Sequence, residues 1–485
     1  MFTEQALLSA KLAANAPLSD LQFYAKELSG WEFSPRRKEM LDGDRYYSGD
    51  HDILKRQRTA IGPNGDLIVV KNLPNNRIVD NVYAKHVNKK ADYLLGKPIS
   101  YDCDNRECAL DIRRVLGMRF MKTMRHAGVN ALNNGIAWLY PYYYKNELRF
   151  KYFPGYEILP FWADSEHTEL DAALRLYPVE VYTGPEKTII QKVDIFKPDG
   201  VFTCIYENGT LTPDPDTPPR SYVSVTSADG EQLPFNWEHF PLIPIKANAK
   251  EIPLIRRGRS LQDAINLLES NFVNSMEEDA GSTVLVLNNY DGQDLGEFRQ
   301  NLATYRAVKT RTFEGKDGRI DKLEITVDAE NYKTILKLLK DALIDNLHSY
   351  DAKDDRLNKD PNEMNIQSMY DDIDLDASAM ETELQAAFEE ILWFVKTYLF
   401  NAGKGSYENE IVDVIFNRDI LINESVVIDN CVKSVGILSD ATIVAMHPWV
   451  DDPTTELERI KAQKESEMDP YRAAFEQNRG GLVEE

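Results

Sequence analysis

The strongest constraint in this sequence is a set of three long apolar-periodic segments between Gly258 and Phe400. In Ser260–Ala280, residues Leu261, Ala264, Ile265, Leu268, Phe272 and Met276 recur at steps of three and four, the spacing of one helix face. Ser260 with Asp263 gives that segment a capping-box-like start. A second stripe in Ala329–Tyr350 consists of Tyr332, Ile335, Leu336, Leu339, Leu343 and Leu347. A third in Ala377–Phe400 carries Met380, Leu384, Ala387, Phe388, Ile391, Val395 and Tyr398, with Ser378 and Glu381 as capping residues. The chain therefore reads as helix, small β-rich insert, helix, polar loop, helix. The loop, Asp351–Ser368, contains Pro361 and few apolar residues, and connections this long are usually functional or disordered. From Asp360 to Val395 there are ten Asp or Glu residues and no Lys or Arg. The ordinary reading of such a run is a solvated helix face. The sharper one is a wall that must not hold a polyanion.

The 485 residues suffice for two to four domains, and 43% hydrophobic with 10% aromatic content permits a sizeable core. A net charge of −23 disfavours stable wrapping by nucleic acid, which calls for a basic surface, but not its transient passage. The four cysteines, Cys103, Cys108, Cys204 and Cys431, lack metal-type pairing and read as reduced thiols of a cytosolic protein. No basic-then-apolar leader pattern opens the chain. The densest apolar run, Ile391–Phe400, is ten residues with Lys396 inside it, too short to span a bilayer.

Residues 1–60 read as helical, with Leu7, Leu8 and Leu12, then Asp20–Leu28 after Pro17, then Pro35–Tyr47. Asn75–Leu95 reads as a helix stopped by Gly96-Lys97-Pro98, and 119–134 as another. The period then changes to two. Gly135–Tyr144 and Leu148–Phe153 form a hairpin, and Ala172–Tyr182, Ile189–Phe196 and Val201–Tyr206 are further strands. Residues 207–236, rich in Pro, Asp, Ser and Thr, read as a loop. The part before the first long helix is thus α+β. In the insert Gly281–Asp328, Thr283–Leu287 and Ile320–Val327 are strand-like and Leu295–Val308 helix-like. Such an insert buries little surface alone and is expected to complete itself against a neighbouring copy. Val412–Phe416 is apolar, and Asn423–Cys431, Ser439–Met446 and Thr454–Lys464 read as short helices.

Catalytic patterns are missing. Gly403-Lys404-Gly405-Ser406 lacks phosphate-loop spacing, and no His-Glu-x-x-His or Gly-x-Ser-x-Gly occurs. His348 near Asp351 is two ligands at most, and Asp371, Asp372, Asp374 and Asp376 lack the glycine and terminal glutamate of a calcium loop. The sequence therefore assigns no catalytic residue, metal or cofactor. A metal-dependent nucleic-acid enzyme using that acidic cluster is the alternative from another class.

The order of these pieces resembles the portal proteins of tailed double-stranded DNA phages, siphophage type of Gram-positive hosts. The likeness is carried by NRIVDNVYAKHVNKKADYLLGKPISY at 76–101, NNGIAWLYPYY at 133–143 and FPLIPIKANAKEIPLIRRGRSLQDAINLLESNFVN at 240–274. FNRDILINESVVIDNCVKSVGILSDATIVAMHPWVDDPTTELERI at 416–460 completes it, so it spans about residue 45 to 465. The resemblance implies a multi-domain α+β portal fold. Its parts would be an N-terminal helical segment (1–45), wing (46–256), stem helix (257–280), clip (281–328) and second stem helix (329–350). A tunnel loop (351–368), tunnel helix (369–402) and crown with C-terminal tail (403–485) would follow. One departure is NIQSMYDD where relatives often carry a small, glycine-containing stretch, at the start of the tunnel helix.

Further implications follow from the likeness. The chain would form a ring of about twelve copies around a DNA channel at one capsid vertex. It would not be an enzyme, would lie in the virion after assembly in the host cytoplasm, and would have no membrane partner. Its partners would be other copies, the genome in transit, the terminase large subunit, a head-tail connector or adaptor, and the major capsid and scaffolding proteins. Another virion protein, such as a head-tail adaptor, is a further alternative. In the portal reading Lys353, Arg356 and Lys359 on the tunnel loop touch DNA, though loop cations also serve solubility. Asp371, Asp372, Glu383, Glu389 and Glu390 would line the channel, and Leu268, Phe272, Leu339 and Leu343 would pack the stem.

Overall fold

The structure, a computed structural model, describes residues 20–61, 65–71, 73–226, 232–279, 284–288, 319–323, 329–351, 363–418, 424–450, 453 and 455–464. The readings made on residues 1–19, on Leu295–Val308 and on Lys353, Arg356 and Lys359 lie outside these. The chain divides into two compact units, Met1–Ser349 with Asp376–Asn417, and Tyr350–Leu375 with Arg418–Glu485.

In the first unit, α1 (Asp20–Glu32) and α2 (Pro35–Tyr47) meet at Ser34, whose Oγ accepts from Arg37 N at 3.2 Å. After the ribbon β1 (Thr59–Ile61) and β2 (Leu67–Val69), residues 74–81 lie in neither helix nor strand. Asn81 then caps α3 (Val82–Leu95) through Ala84 N. The expected helix Asn75–Leu95 is therefore only its second part. After β3 (Ser100–Asp102), a helix not anticipated from the sequence, α4 (Arg106–Val115), is capped by Asn105. It is followed by α5 (Met118–Asn134). Gly43 of α2 is required by close packing: a Cβ there would sit 2.1 Å from Asn133 O.

The expected hairpin is β4 (Ile136–Tyr144) with β5 (Glu147–Pro154), turned by Lys145-Asn146, both at positive φ. β13 (Ile243–Lys246) pairs on the other edge of β4. A second, antiparallel sheet follows the order β10-β9-β8-β7-β6, from β6 (Ile158–Trp162) through β7 (Leu170–Thr183), β8 (Glu186–Lys197) and β9 (Gly200–Glu207) to β10 (Thr210–Pro213). Over the part from Ile158–Trp162 to residues 193–196 both its faces are buried, while the far ends of β7 and β8 are exposed. Phe161, Leu174, Val193 and Cys204 point to α1, which supplies Phe23, Leu28 and Trp31. Alternate residues Ile158, Trp162, Ala173 and Phe196 point the other way, onto Trp138 and Phe153. Residues 207–236 are not one loop. They hold β10 and the ribbon of β11 (Val223–Thr226) and β12 (Gln232–Phe235).

The three long helices are present with shifted ends. α6 spans Ile255–Asp279, so Ser260 lies inside it and caps nothing. α7 spans Ala329–Asn346 and stops before His348, whose φ is +48°. α8 spans Glu363–Asn401, beginning inside the stretch read as loop, and Ser378 and Glu381 are mid-helix. In the insert, β14 (Val284–Asn288) pairs antiparallel with β15 (Arg319–Leu323). Within the first unit β16 (Asp413–Ile415) pairs with β3, so the start of the 403–485 stretch belongs to this unit. The largest core joins α3, α5, the β4–β5 hairpin, α6, α7 and the part of α8 from Met380 on. In the second unit α9 (Glu424–Ser434) leads to α10 (Asp440–Met446), capped by Ser439.

Candidate functional site

The stem-like helix α6 is organised by polar groups as well as by its apolar stripe. Gln262, Asn266, Ser270 and Asn274 recur every fourth residue, and all four are buried. Three of them receive backbone amides of the chain segment beside them, and Gln262 receives one from the start of α3. Asn274 Oδ1 accepts from Asn76 N at 2.7 Å, Ser270 Oγ from Ile78 N at 3.0 Å, and Asn266 Oδ1 from Asp80 N at 3.1 Å. Gln262 Oε1 accepts from Tyr83 N at 2.9 Å while its Nε2 donates to Asp80 O at 2.6 Å. The periods match: four helical residues advance about 6 Å and two extended ones about 6.6 Å. A helix side-chain ladder thus substitutes for the missing β partner of residues 76–80.

The same face fixes α2 and the turn after it. Arg259 reaches Asp42 at 2.7 Å and Asp52 at 2.8 Å, and Tyr46 donates its hydroxyl to Asp52 or Asp263, 2.9 and 2.6 Å away. His51, fully buried, stacks on Tyr46. Its Nε2 lies 2.9 Å from Tyr46 O and its Nδ1 2.7 Å from Asn266 Nδ2, so the proton is on Nε2 and the ring is neutral. Burial holds its pKa below the ordinary 6.5. A proton added at Nδ1 would face another donor. Between its folded pKa and about 6.5 the unfolded chain binds more protons, so stability falls as pH drops below that value. Melting temperatures from pH 7.5 to 5.5 check this: His51→Gln removes part of the parent's downward slope.

α6 and α7 close on each other at both ends. Gly258 lies against Leu343 and Leu347, where an added Cβ would come within 3.0 Å of either side chain. At the other end Phe272 and Tyr332 stack with ring centroids 3.8 Å apart. Of the expected stem-packing residues, Leu343 is fully buried, and Leu268, Phe272 and Leu339 are half-buried within this one chain. The outer face of α7 is different, with Ile335 and Leu338 exposed.

Where α7 ends, Lys90 of α3 forms a junction. Its buried ammonium donates to Leu347 O at 3.0 Å and His348 O at 3.1 Å, and pairs with Asp376 Oδ2 of α8 at 2.5 Å. Arg257 and His348 also reach Asp376, at 3.5 and 3.4 Å. Burial pushes the Asp376 pKa up, but Lys90, Arg257 and His348 together hold it below the ordinary carboxylate value. His86 Nδ1 lies 2.8 Å from Ser349 Oγ beside them.

The expected channel acids differ among themselves. Asp371, Asp372 and Glu389 are exposed, and Glu383 is half-buried. Glu390 accepts from His239 Nδ1 at 2.8 Å, and that imidazole stacks on Trp393 at 4.0 Å. The acidic cluster considered for a cation is partly neutralised by the chain itself, Asp374 pairing with Arg418 and Asp376 with Lys90. Among the described residues no three His, Cys, Asp or Glu are placed to hold a metal, and no helix is long and apolar enough to cross a membrane.

Known proteins place this arrangement. Residues 32–470 match the family described as “Phage portal protein, SPP1 Gp6-like”. The portal protein of Bacillus phage SPP1 is 27% identical over 445 residues, covering 89% of this chain and 84% of the relative. The portal protein of Clostridium phage phiCD119 is 26% identical over 462 residues, covering 90% and 96%. A solved structure titled “Neck of empty GTA particle computed with C6 symmetry” overlays more loosely. Its TM-score is 0.36 at 13% identity, over 74% of this chain and 87% of that one. With residues 32–470 of its 485 matched, the chain belongs to the SPP1 Gp6-like family of phage portal proteins.

Proposed function

We propose that this chain assembles into a closed ring of about twelve copies that forms the DNA channel at one capsid vertex. As a portal-family member it is a structural protein of the virion rather than an enzyme. In this reading α6 and α7 are the stem, the insert 281–328 the clip, residues 351–362 the tunnel loop, α8 the tunnel helix, and the helices after 418 the crown. The ring nucleates head assembly in the host cytoplasm with capsid and scaffolding proteins. It admits DNA driven by a separate terminase, and later carries the head-tail connector.

One observation carries the reading beyond family membership. The α6–α7 pair is closed on its inner seam yet leaves Ile335 and Leu338 of α7 uncovered, as a helix pair flanked by other copies would. Charge supports it. A ring multiplies the −23 of each chain, and exposed acids such as Asp371, Asp372 and Glu389 repel a sliding polyanion where basic walls would release counterions and hold it. Lys353, Arg356 and Lys359 then offer a few weak contacts on the loop. Glu390, held by His239, acts as a structural acid in this scheme.

Electron micrographs and the solution mass of the purified full chain test the proposal. The expected result is a ring with a central channel and a mass of about twelve chains. A monomer or small oligomer at micromolar concentration would overturn it.

A further inference from the structure

The ribbon β1–β2 carries apolar side chains that no described residue covers. Ile61, Leu67, Ile68 and Val69 are 78%, 73%, 49% and 51% exposed. Ile61 pairs with Leu67 and Thr59 with Val69, so these four share one face, while Ile68 lies on the other. An isolated two-stranded ribbon is marginal in water, and this one is apolar on both sides. Its base is nevertheless firmly held. Val70 N donates to Arg58 O at 2.9 Å, Arg58 Nη1 to Pro74 O at 2.9 Å and Asn75 Nδ2 to Arg56 O at 3.2 Å. One residue later the buried ladder on α6 begins. The chain thus anchors firmly a projection that its described residues leave uncovered.

We propose that this ribbon is an arm that each copy lays across the outer face of α7 on the next copy. The proposal rests on the ring reading and names one of its contacts. Ile335 and Leu338, exposed, and Ala342, half-buried, recur at three and four residues on α7 and form an apolar stripe there. Asp341 and Asp345 lie on the same side of the helix, while Lys333 and Lys337 lie off it. The ribbon brings the opposite charge. From Ile53 to Ile78 the chain carries Lys55, Arg56, Arg58, Lys71 and Arg77 against Asp66 alone. An apolar arm with a basic base therefore matches an apolar stripe with acidic neighbours. The two surfaces are different patches of one chain, which is what a head-to-tail ring contact needs.

The triple variant Ile61→Ser, Leu67→Ser, Val69→Ser tests this in the full chain. All three side chains are exposed, so circular dichroism and melting of the unassembled chain should match the parent. Self-association should weaken about a hundredfold. If the parent forms rings and the variant forms them equally well, the ring reading stands and the arm is overturned. If the parent itself stays monomeric, the ring reading fails and takes the arm with it. A second measurement works even if the triple variant misfolds. Under oxidation, a chain with both Leu67→Cys and Leu338→Cys should give a ladder of disulfide-linked multimers absent from the parent, and a mixture of two chains with one introduced cysteine each should stop at dimers. Dimers from Leu67→Cys alone would show ribbon against ribbon and overturn the proposal.

Discussion

Replacing Asn266 by leucine is expected to destabilise the first unit by about 4 kcal/mol, although leucine is the more apolar residue and the site is fully buried. The reason lies in what Asn266 serves. Its Oδ1 accepts from Asp80 N and from Gln262 Nε2, both at 3.1 Å, and its Nδ2 donates to His51. Leucine leaves a backbone amide, a carboxamide and an imidazole nitrogen buried without those bonds, at roughly 1–3 kcal/mol each. The neighbouring change Leu267→Asn, at a position 43% exposed, should cost well under 1 kcal/mol. Urea midpoints of the two variants check the contrast. Equal midpoints would mean that the ladder adds nothing to the holding of residues 76–80.

That contrast also shows what the sequence could and could not reveal. Periodicity located all three long helices, and alternation located most of the strands between Ile136 and Glu207, because each of those elements buries an apolar stripe or face. It missed the buried side of α6, where the partner is a non-helical backbone segment that wants hydrogen bonds. Gln262, Asn266, Ser270 and Asn274 at four-residue steps were the available signal. The helix drawn through Asn75–Asn81 failed for the same reason, since those amides bond to α6 instead of to the preceding turn. Residues 207–236 were read as loop on composition, although Asn208-Gly209, both at positive φ, is a strong two-residue hairpin signal between β9 and β10. Of the candidate site, Leu343 lies against Gly258 and Phe272 stacks on Tyr332, both within the one chain. Lys90 was invisible because its partners, Leu347, His348 and Asp376, are more than 250 positions away. Glu390 looked like one more acid in a run until His239 was found beside it.

Lys90→Met is expected to have the second large effect, and it separates stability from function. Methionine retains the length and packing of the side chain but removes the only ammonium at the end of α7 within hydrogen-bond reach of both Leu347 O and His348 O among the described residues. Asp376 is left with Arg257 at 3.5 Å and His348 at 3.4 Å, which soften the loss. Breaking a buried pair costs 3–5 kcal/mol, so with those two partners remaining about 3 kcal/mol is expected. The double variant Lys90→Met, Asp376→Leu should regain much of it, since no unpaired carboxylate remains. Acid should expose the same pair: the Asp376 contribution is present above about pH 4 and is lost as pH falls through its lowered pKa. The functional consequence follows from position. Lys90 joins the end of α7 to Asp376 of α8, the two helices on either side of the proposed tunnel loop. The outer face of α7 and the β1–β2 ribbon are elsewhere, so ring formation at 20 °C should survive in the double variant while the loop's anchorage is lost. Packaged DNA per head, with parent and variant rings matched for assembly, decides it. Slower or shorter packaging by the double variant is the expected result. Equal packaging would reduce Lys90 to a stabilising residue with no part in positioning the loop.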